Sequence, residues 1–398
     1  MKRSMCVSLL SLFFLFAAGC AEEEALCPDG ESSCDGTCVD TMHDPLHCGG
    51  CGIACAAGEF CIEGVCGCPD GEPSCAPENP DLFGLCFQAG QMVPLSKEHG
   101  LRVGTPLSGM EGPQTMARLD EDHVVVVGSM DQTLRVVDRR TMRIVGAHTF
   151  AAEAGPTMPN HVIVDGDRAY VTLSGTNEVA VVDLQERADP RVAYTVSTGE
   201  GTNPYFVAKA DDTLYVSLWI ANAVLPIRVG HDSGEAKSAI PIEGEIEGLA
   251  YPAGVAVAGG RVYAALNNLD DNFAPAGNGR LWSYDPASDA QEFVDLGPDC
   301  KNPGYVATRG ETVYLACAGN YGADDGAIAV YDPASEAGVR VIHVGGAPAR
   351  LSLDGEVIYA ADAAGTKVLR VTTDGSVETI DVCSETEWEF VADVLVLP

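Results

Sequence analysis

Six residues carry the side chains best suited to hold a small molecule: Asn160, His161, Tyr205, Tyr305, Arg350 and Glu389. Each stands near the head of a short apolar run, so a common position in recurring elements would gather them. An Arg, a His and two phenols could grip a small anion or a sugar by directed hydrogen bonds. The same set could equally do no more than hydrate a channel. A second group lies in two polar segments, NNLDDNFAPAGNG (267–279) and GNYGADDG (319–326). Their Asn267, Asn268, Asp270, Asp271, Asn320, Asp324 and Asp325 are hard oxygen ligands of the type calcium prefers, but without the alternating acidic spacing of a dedicated calcium loop. Solvated polar loops are the plainer reading. Calcium, through Asp270, Asp271, Asp324 and Asp325, is the one cofactor the residues suggest. The patterns Gly-x-Ser-x-Gly, His-Glu-x-x-His and Cys-x-x-Cys-His are absent, as is a phosphate-cradling loop. Asp232-Ser233-Gly234 lacks the surroundings of a serine nucleophile.

The elements that must position these residues repeat. Copies read PNHVIVDGDRAYVTLSGTNEVAVVD (159–183), NPYFVAKADDTLYVSLWIANAVLPI (203–227), NPGYVATRGETVYLACAGN…AIAVYD (302–332) and APARLSLDGEVIYAADAAGTKVLRV (347–371). An anchor recurs at Val125, Tyr170, Tyr215, Tyr263, Tyr314 and Tyr359, at intervals of 45, 45, 48, 51 and 45 residues. Each unit holds three or four short alternating runs divided by Gly, Asp or Asn turns, the mark of a β-propeller. From the anchor to the next strand four copies take nine residues, whereas the fourth takes 18 and the fifth 14. Trp219, in the short loop before them, could offer a stacking surface or pack beneath its neighbours. Tyr215-Val216-Ser217…Asn222 and Tyr170-Val171-Thr172…Asn177 resemble the YVTN family of propellers over roughly residues 100–398. That resemblance implies an all-β ring whose channel mouth takes the ligand, and a relation to lactonases. Six copies are visible. Joining GLRVGT (100–105) to WEFVADVLVL (388–397) would close a seventh blade, so seven blades are expected, with six as the alternative. Pro94 suggests that little before Leu101 takes part.

The first residues read as an export signal (1–19): Lys2 and Arg3, an apolar run over 7–16, then Ala17-Ala18-Gly19-Cys20. The ending resembles a bacterial lipobox, with Ala17 where that motif prefers Leu. The resemblance makes Cys20 the lipidated N-terminus, and Ala21 in place of Asp favours the outer membrane. Ordinary cleavage after Ala21 is the alternative. An acidic tether (20–26) leads to a cysteine-rich module and connector (27–90), and the propeller is expected over 91–398. Residues 27–68 have too few aliphatic side chains for a core and need cross-links. Cys38…Cys48-Gly-Gly-Cys51-Gly-x-x-Cys55…Cys61…Cys66 resembles the Stig1-like repeat of extracellular proteins, with His47 where that pattern usually has Asn. Zinc held by Cys48, Cys51 and Cys55 with His43 or His47 is the rival reading.

Sixteen cysteines over 398 residues, eleven of them between Cys27 and Cys86, point to an oxidising compartment. With Cys6 lost and Cys20 lipidated, an odd number remains on each side of the domain boundary, so at least one bridge should cross it if all are paired. On the face implied by the propeller resemblance, Cys300 and Cys317 fall within one blade and are plausible partners. Cys86 and Cys383 would then clasp the ring closure. Twenty-three Lys and Arg against 58 Asp and Glu give a net charge of −35. That excludes binding of nucleic acid, and of a membrane by a basic face. The expectation is an exported lipoprotein, anchored by its acyl chains at the outer membrane or cell surface. Its propeller would bind a surface protein, glycan or small ligand without catalysis. The alternative is a lactonase-like hydrolase, with or without a metal, disfavoured because the hub set offers Glu389 as its sole carboxylate. A pure spacer role is the third reading.

Overall fold

A computed structural model describes residues 27, 31–34, 37–55, 59–68, 79–153, 155–244, 246–320, 323–384, 386 and 388–397. The export signal, Cys20 and Cys75 lie outside them. The described residues contain no helix and form a seven-bladed β-propeller with a small disulfide-rich module before it. The blades are antiparallel sheets, and in the first six the strands run in chain order from the centre outward. The innermost strands are Pro113–Arg118, Pro159–Asp165, Pro204–Ala210, Pro252–Ala258, Pro303–Arg309, Pro348–Asp354 and Val391–Val396. Second strands such as Arg168–Leu173 and Thr213–Leu218 are buried almost throughout, whereas outermost strands such as Arg191–Ser197 are largely exposed and polar. Edge protection follows from that gradient.

The regular spacing of the anchors has a packing cause. Val125, Tyr170, Tyr215, Tyr263, Tyr314 and Tyr359 each sit in a second strand and pack into the cluster shared with the following blade. The cluster around Phe83, Leu85, Met116 and Val124 joins the seventh blade to the first and completes the circle. The Thr or Ser after Tyr-Val has its own task. Every innermost strand begins with a register shift, as between Pro159 and His161. Thr172 Oγ1 accepts the His161 N–H (3.1 Å), and Ser217 Oγ accepts the Phe206 N–H (3.0 Å). The hydroxyl thus satisfies an amide beside the irregularity. The Asn of the motif takes a left-handed turn at Asn177 and Asn222. Its Oδ1 accepts the N–H of Asn203 (3.0 Å) and Tyr251 (2.9 Å), tying each turn to the segment leading into the next blade.

Closure uses both ends of the chain. Val391–Val396 pairs with Leu82–Cys86, which pairs with Gln91–Leu95. Bridges from Met92 to Leu107 and from Leu95 to Arg102 add the outer edge. Residues 82–90, expected in the connector, therefore belong to the ring, and the propeller begins before residue 91. Pro94 does not prevent this. Val103 donates to the Pro94 carbonyl (3.0 Å), so the missing N–H also faces the loosely paired outer edge. Cys86 and Cys383 are disulfide-bonded across the closure (Cα–Cα 5.5 Å), and Cys300 is bonded to Cys317 (5.2 Å).

In the module, Cys27–Cys38, Cys34–Cys51, Cys48–Cys61 and Cys55–Cys66 are disulfides. Zinc is thereby overturned, because those sulfurs are bonded to each other. The module rests on the outer side of the sixth and seventh blades. Asp40 pairs with the buried Arg102 (3.2 Å), whose Nη2 also donates to the Val382 carbonyl (2.9 Å), and Phe60 meets the His99 ring edge-on.

Candidate functional site

The common register shift places one residue per blade at the same depth in the channel: Thr115, His161, Phe206, Gly254, Tyr305, Arg350 and Asp393. Bulk is traded around this layer. A Cβ on Gly254 would lie 2.5 Å from the Val306 nitrogen and 2.6 Å from Tyr305 Cα, so only glycine fits beside that strand. The Arg350 guanidinium lies 4.2 Å from the Phe206 ring centroid and 5.5 Å from that of Tyr305. His161 packs on Phe206 at 4.6 Å. These groups fill the centre of the ring rather than merely edging water.

Electrostatics follow from that burial. Val207 N–H donates to His161 Nδ1 (3.3 Å), which puts the proton of the neutral ring on Nε2. Burial, and then the positive charge of Arg350, hold His161 well below the ordinary histidine pKa. Burial pushes the Tyr305 phenol up to about 12, so it remains a protonated donor. Asp393 is a hub carboxylate that the sequence reading missed. Its Oδ2 accepts the Met116 N–H (2.8 Å) and its Oδ1 the Val394 N–H (2.9 Å). Burial nonetheless raises its pKa. Arg350 is 5% exposed, and its buried Nη1 has no hydrogen-bond partner among the described residues.

Above this layer, on the face carrying the long loops, lies a cup of about 390 Å³. Arg350 and Phe206 line its depth; Gln114, Tyr205, Asn302 and Gly304 line its sides; Trp219 and Phe273 line one wall. Trp219 stacks on Tyr251 (4.5 Å) and Phe273 (5.9 Å), and Tyr205 continues the series toward Phe206. The indole N–H of Trp219 donates to Asn267 Oδ1 (3.1 Å). Trp219 thus does both things expected of it, packing on its neighbours and presenting a surface. No described residue of the cysteine-rich module lines the cup. On the opposite side, His161, Lys209, Asp211 and Tyr305 help to line a wider opening of about 680 Å³.

The expected residues are thus only partly brought together. His161, Tyr305 and Arg350 meet in the central layer, and Tyr205 stands at the cup. Asn160 holds the same strand position as Tyr205 in the preceding blade, half-buried. Glu389 is elsewhere. Its carboxylate accepts the N–H groups of Gln88 (2.9 Å) and Ala89 (2.6 Å), bracing the hairpin of the closing blade. The innermost strand starts two residues later, which makes Asp393 the counterpart of His161. The signal was the alignment of Val391-Ala392-Asp393 with Pro159-Asn160-His161, obscured because the closing blade lacks the leading proline.

The loop carboxylates are committed locally. Asp270 Oδ1 accepts from Asn272 (2.8 Å) and Ala274 (3.0 Å), and these backbone bonds lower its pKa. Asp325 accepts from Asn320 N–H (2.7 Å) and its side-chain amide (2.6 Å), while Asp324 accepts from Gly346 (2.6 Å). Asn267 and Asn268 are buried and spend their amides on Asn302, Pro303, Glu247 and Asn278. Among the described residues, Asp270, Asp271, Asp324 and Asp325 do not converge as a metal-ligand group. The group that does is Cys48, Cys55 and Cys66, whose sulfurs are in disulfides.

Fold and site define a seven-bladed propeller with a channel-mouth cup, preceded by a Stig1-like module. Residues 3–69 match the Stigma-specific STIG1-like protein family. A protein from Lactobacillus plantarum shares the propeller fold at 16% identity and a TM-score of 0.58, over 80% of this chain and 98% of that one. A proposed 6-phosphogluconolactonase from Bacteroides uniformis is similar at 17% identity and 0.55, over 79% and 98%. Virginiamycin B lyase from Staphylococcus aureus is similar at 9% identity and 0.55, over 69% and 85%. None of the curated proteins matches the sequence.

Proposed function

We propose that the chain is an exported lipoprotein, held at the outer membrane or cell surface by acyl chains on Cys20, whose propeller recognises a partner at its loop face without turning it over. The partner is a surface protein, a glycan or a small ligand. The observation that carries this reading is the cup itself: a rigid, aromatic-walled recess with a buried guanidinium at its depth. Recesses of this size, mostly apolar with a few directed polar groups, are the ordinary form of a ligand site. The disulfides support export, since such bonds persist in oxidising compartments.

Two experiments test it. Metabolic labelling with an alkyne fatty acid should mark the wild type and not Cys20→Ala; equal labelling removes the anchor. Purified protein offered a panel of lactones, with and without calcium, should show no turnover above buffer. Hydrolysis that disappears in His161→Gln with the fold retained would make the protein a lactonase-like hydrolase instead.

A further inference from the structure

Resting on that reading, we infer that the loop-face cup takes a small carboxylate-bearing ring compound, its carboxylate on Arg350 and its ring face against Trp219 and Phe273. Two independent observations lead there. The first is a buried cation with an unmet hydrogen bond, lying over the Phe206 and Tyr305 rings in the same layer as Asp393. Arg350 is 95% buried by difference from its 5% exposure, lines the cup, and has no acceptor for Nη1. Buried charges are normally paired, because removing one from water costs several kcal/mol. A planar guanidinium matches a carboxylate better than a neutral acceptor does.

The second observation is the wall. Phe273 is 59% exposed and adopts a left-handed backbone (φ 60°), an unfavourable choice for a bulky residue. The Asp270 staple holds the loop tip in that shape, and the ring lies nearly parallel to Trp219, 9° between planes. The rings of Phe206, Tyr205, Trp219 and Phe273 form a continuous series from the guanidinium to the rim. An aromatic face stacks on another aromatic ring or on the apolar face of a sugar. Sugar acids and aromatic acids therefore share the required chemistry.

The test is calorimetric titration of the full-length protein with glucuronate and with benzoate, and with glucose and benzyl alcohol as their neutral counterparts. At least one acid should bind saturably and about tenfold more tightly than its neutral counterpart, the size of one charge-assisted contact. Which acid binds identifies the source. Arg350→Gln should abolish that preference with the fold retained by circular dichroism, at a lower Tm because the charge beside Asp393 and the Phe206 ring is lost. Phe273→Ala, at an exposed position that does not endanger the fold, should weaken the same acid. Failure of both acids to bind, or acid binding untouched by either substitution, overturns the inference. Neutral rings that bind as well as the acids overturn it while leaving recognition at the cup intact. Catalysis is decided separately by the lactone panel.

Discussion

Replacing Cys86 and Cys383 together by alanine should release the ring where its ends meet. This bond spans 297 residues, whereas Cys300–Cys317 spans 17. If a cross-link acts by limiting the unfolded chain, closing the long loop contributes about 6 kcal/mol and the short one about 3 kcal/mol. All four residues are buried, so the packing loss from removing two sulfurs is similar in the two double variants. The difference, roughly 2.5 kcal/mol, isolates loop closure from packing. Strand pairing between Val391–Val396 and Leu82–Cys86 should survive in both. Guanidinium unfolding of the oxidised proteins, followed by circular dichroism, reads out the two costs. The Cys86→Ala/Cys383→Ala variant should also show the larger rise in m, because its unfolded chain exposes more surface. Equal losses, or a larger loss in Cys300→Ala/Cys317→Ala, would refute the entropic clasp and assign closure to strand pairing and packing.

Three further outcomes follow from the central layer and its support. His161 is neutral in the fold and its pKa is depressed, so its contribution is complete above the unfolded value near 6.5 and is lost as pH falls. Wild type should lose about 1.4 kcal/mol more than His161→Gln between neutral pH and 5.5, read from paired denaturation curves; parallel curves would show the ring is not buried neutral. Gly254→Ala should cost at least about 2 kcal/mol, because its Cβ meets backbone that cannot yield cheaply; an unchanged Tm contradicts that close approach. Glu389→Ala should cost roughly 1.5 kcal/mol by losing two charge-assisted hydrogen bonds, the amides of the exposed Gln88 and Ala89 passing to water, yet leave cup affinity unchanged in the same calorimetric assay.

How far the sequence carries depends on whether a feature repeats. Tyr170, Tyr215, Tyr263, Tyr314 and Tyr359 announce the blades because each occupies the same strand position against the next blade, and identical packing demands similar residues at a regular interval. Thr172 and Asn177 are legible for the same reason. The site is legible only in part. His161, Tyr305 and Arg350 could be placed at strand starts, but the shift at each start decides which residue enters the channel. A one-residue error exchanges Phe206 for Tyr205. In the closing blade, without its proline, the error became Glu389 for Asp393.

Composition and spacing by themselves determined an all-β ring of repeated sheets, a cross-linked module ahead of it, an acidic surface and the face on which long loops gather. These are properties of the chain's local chemistry: alternation, turn residues, charge and cysteine density. Tertiary structure alone decided that Leu82–Cys86 and Gln91–Leu95 belong to the ring, that Asp270 and Asp325 serve their own loops, and that Arg350 is buried over aromatic rings. The first and the last depend on which distant segments meet, as Cys86 meets Cys383, and the second on the path each loop takes within itself. Partners brought together by closure leave no periodic trace in the residues themselves.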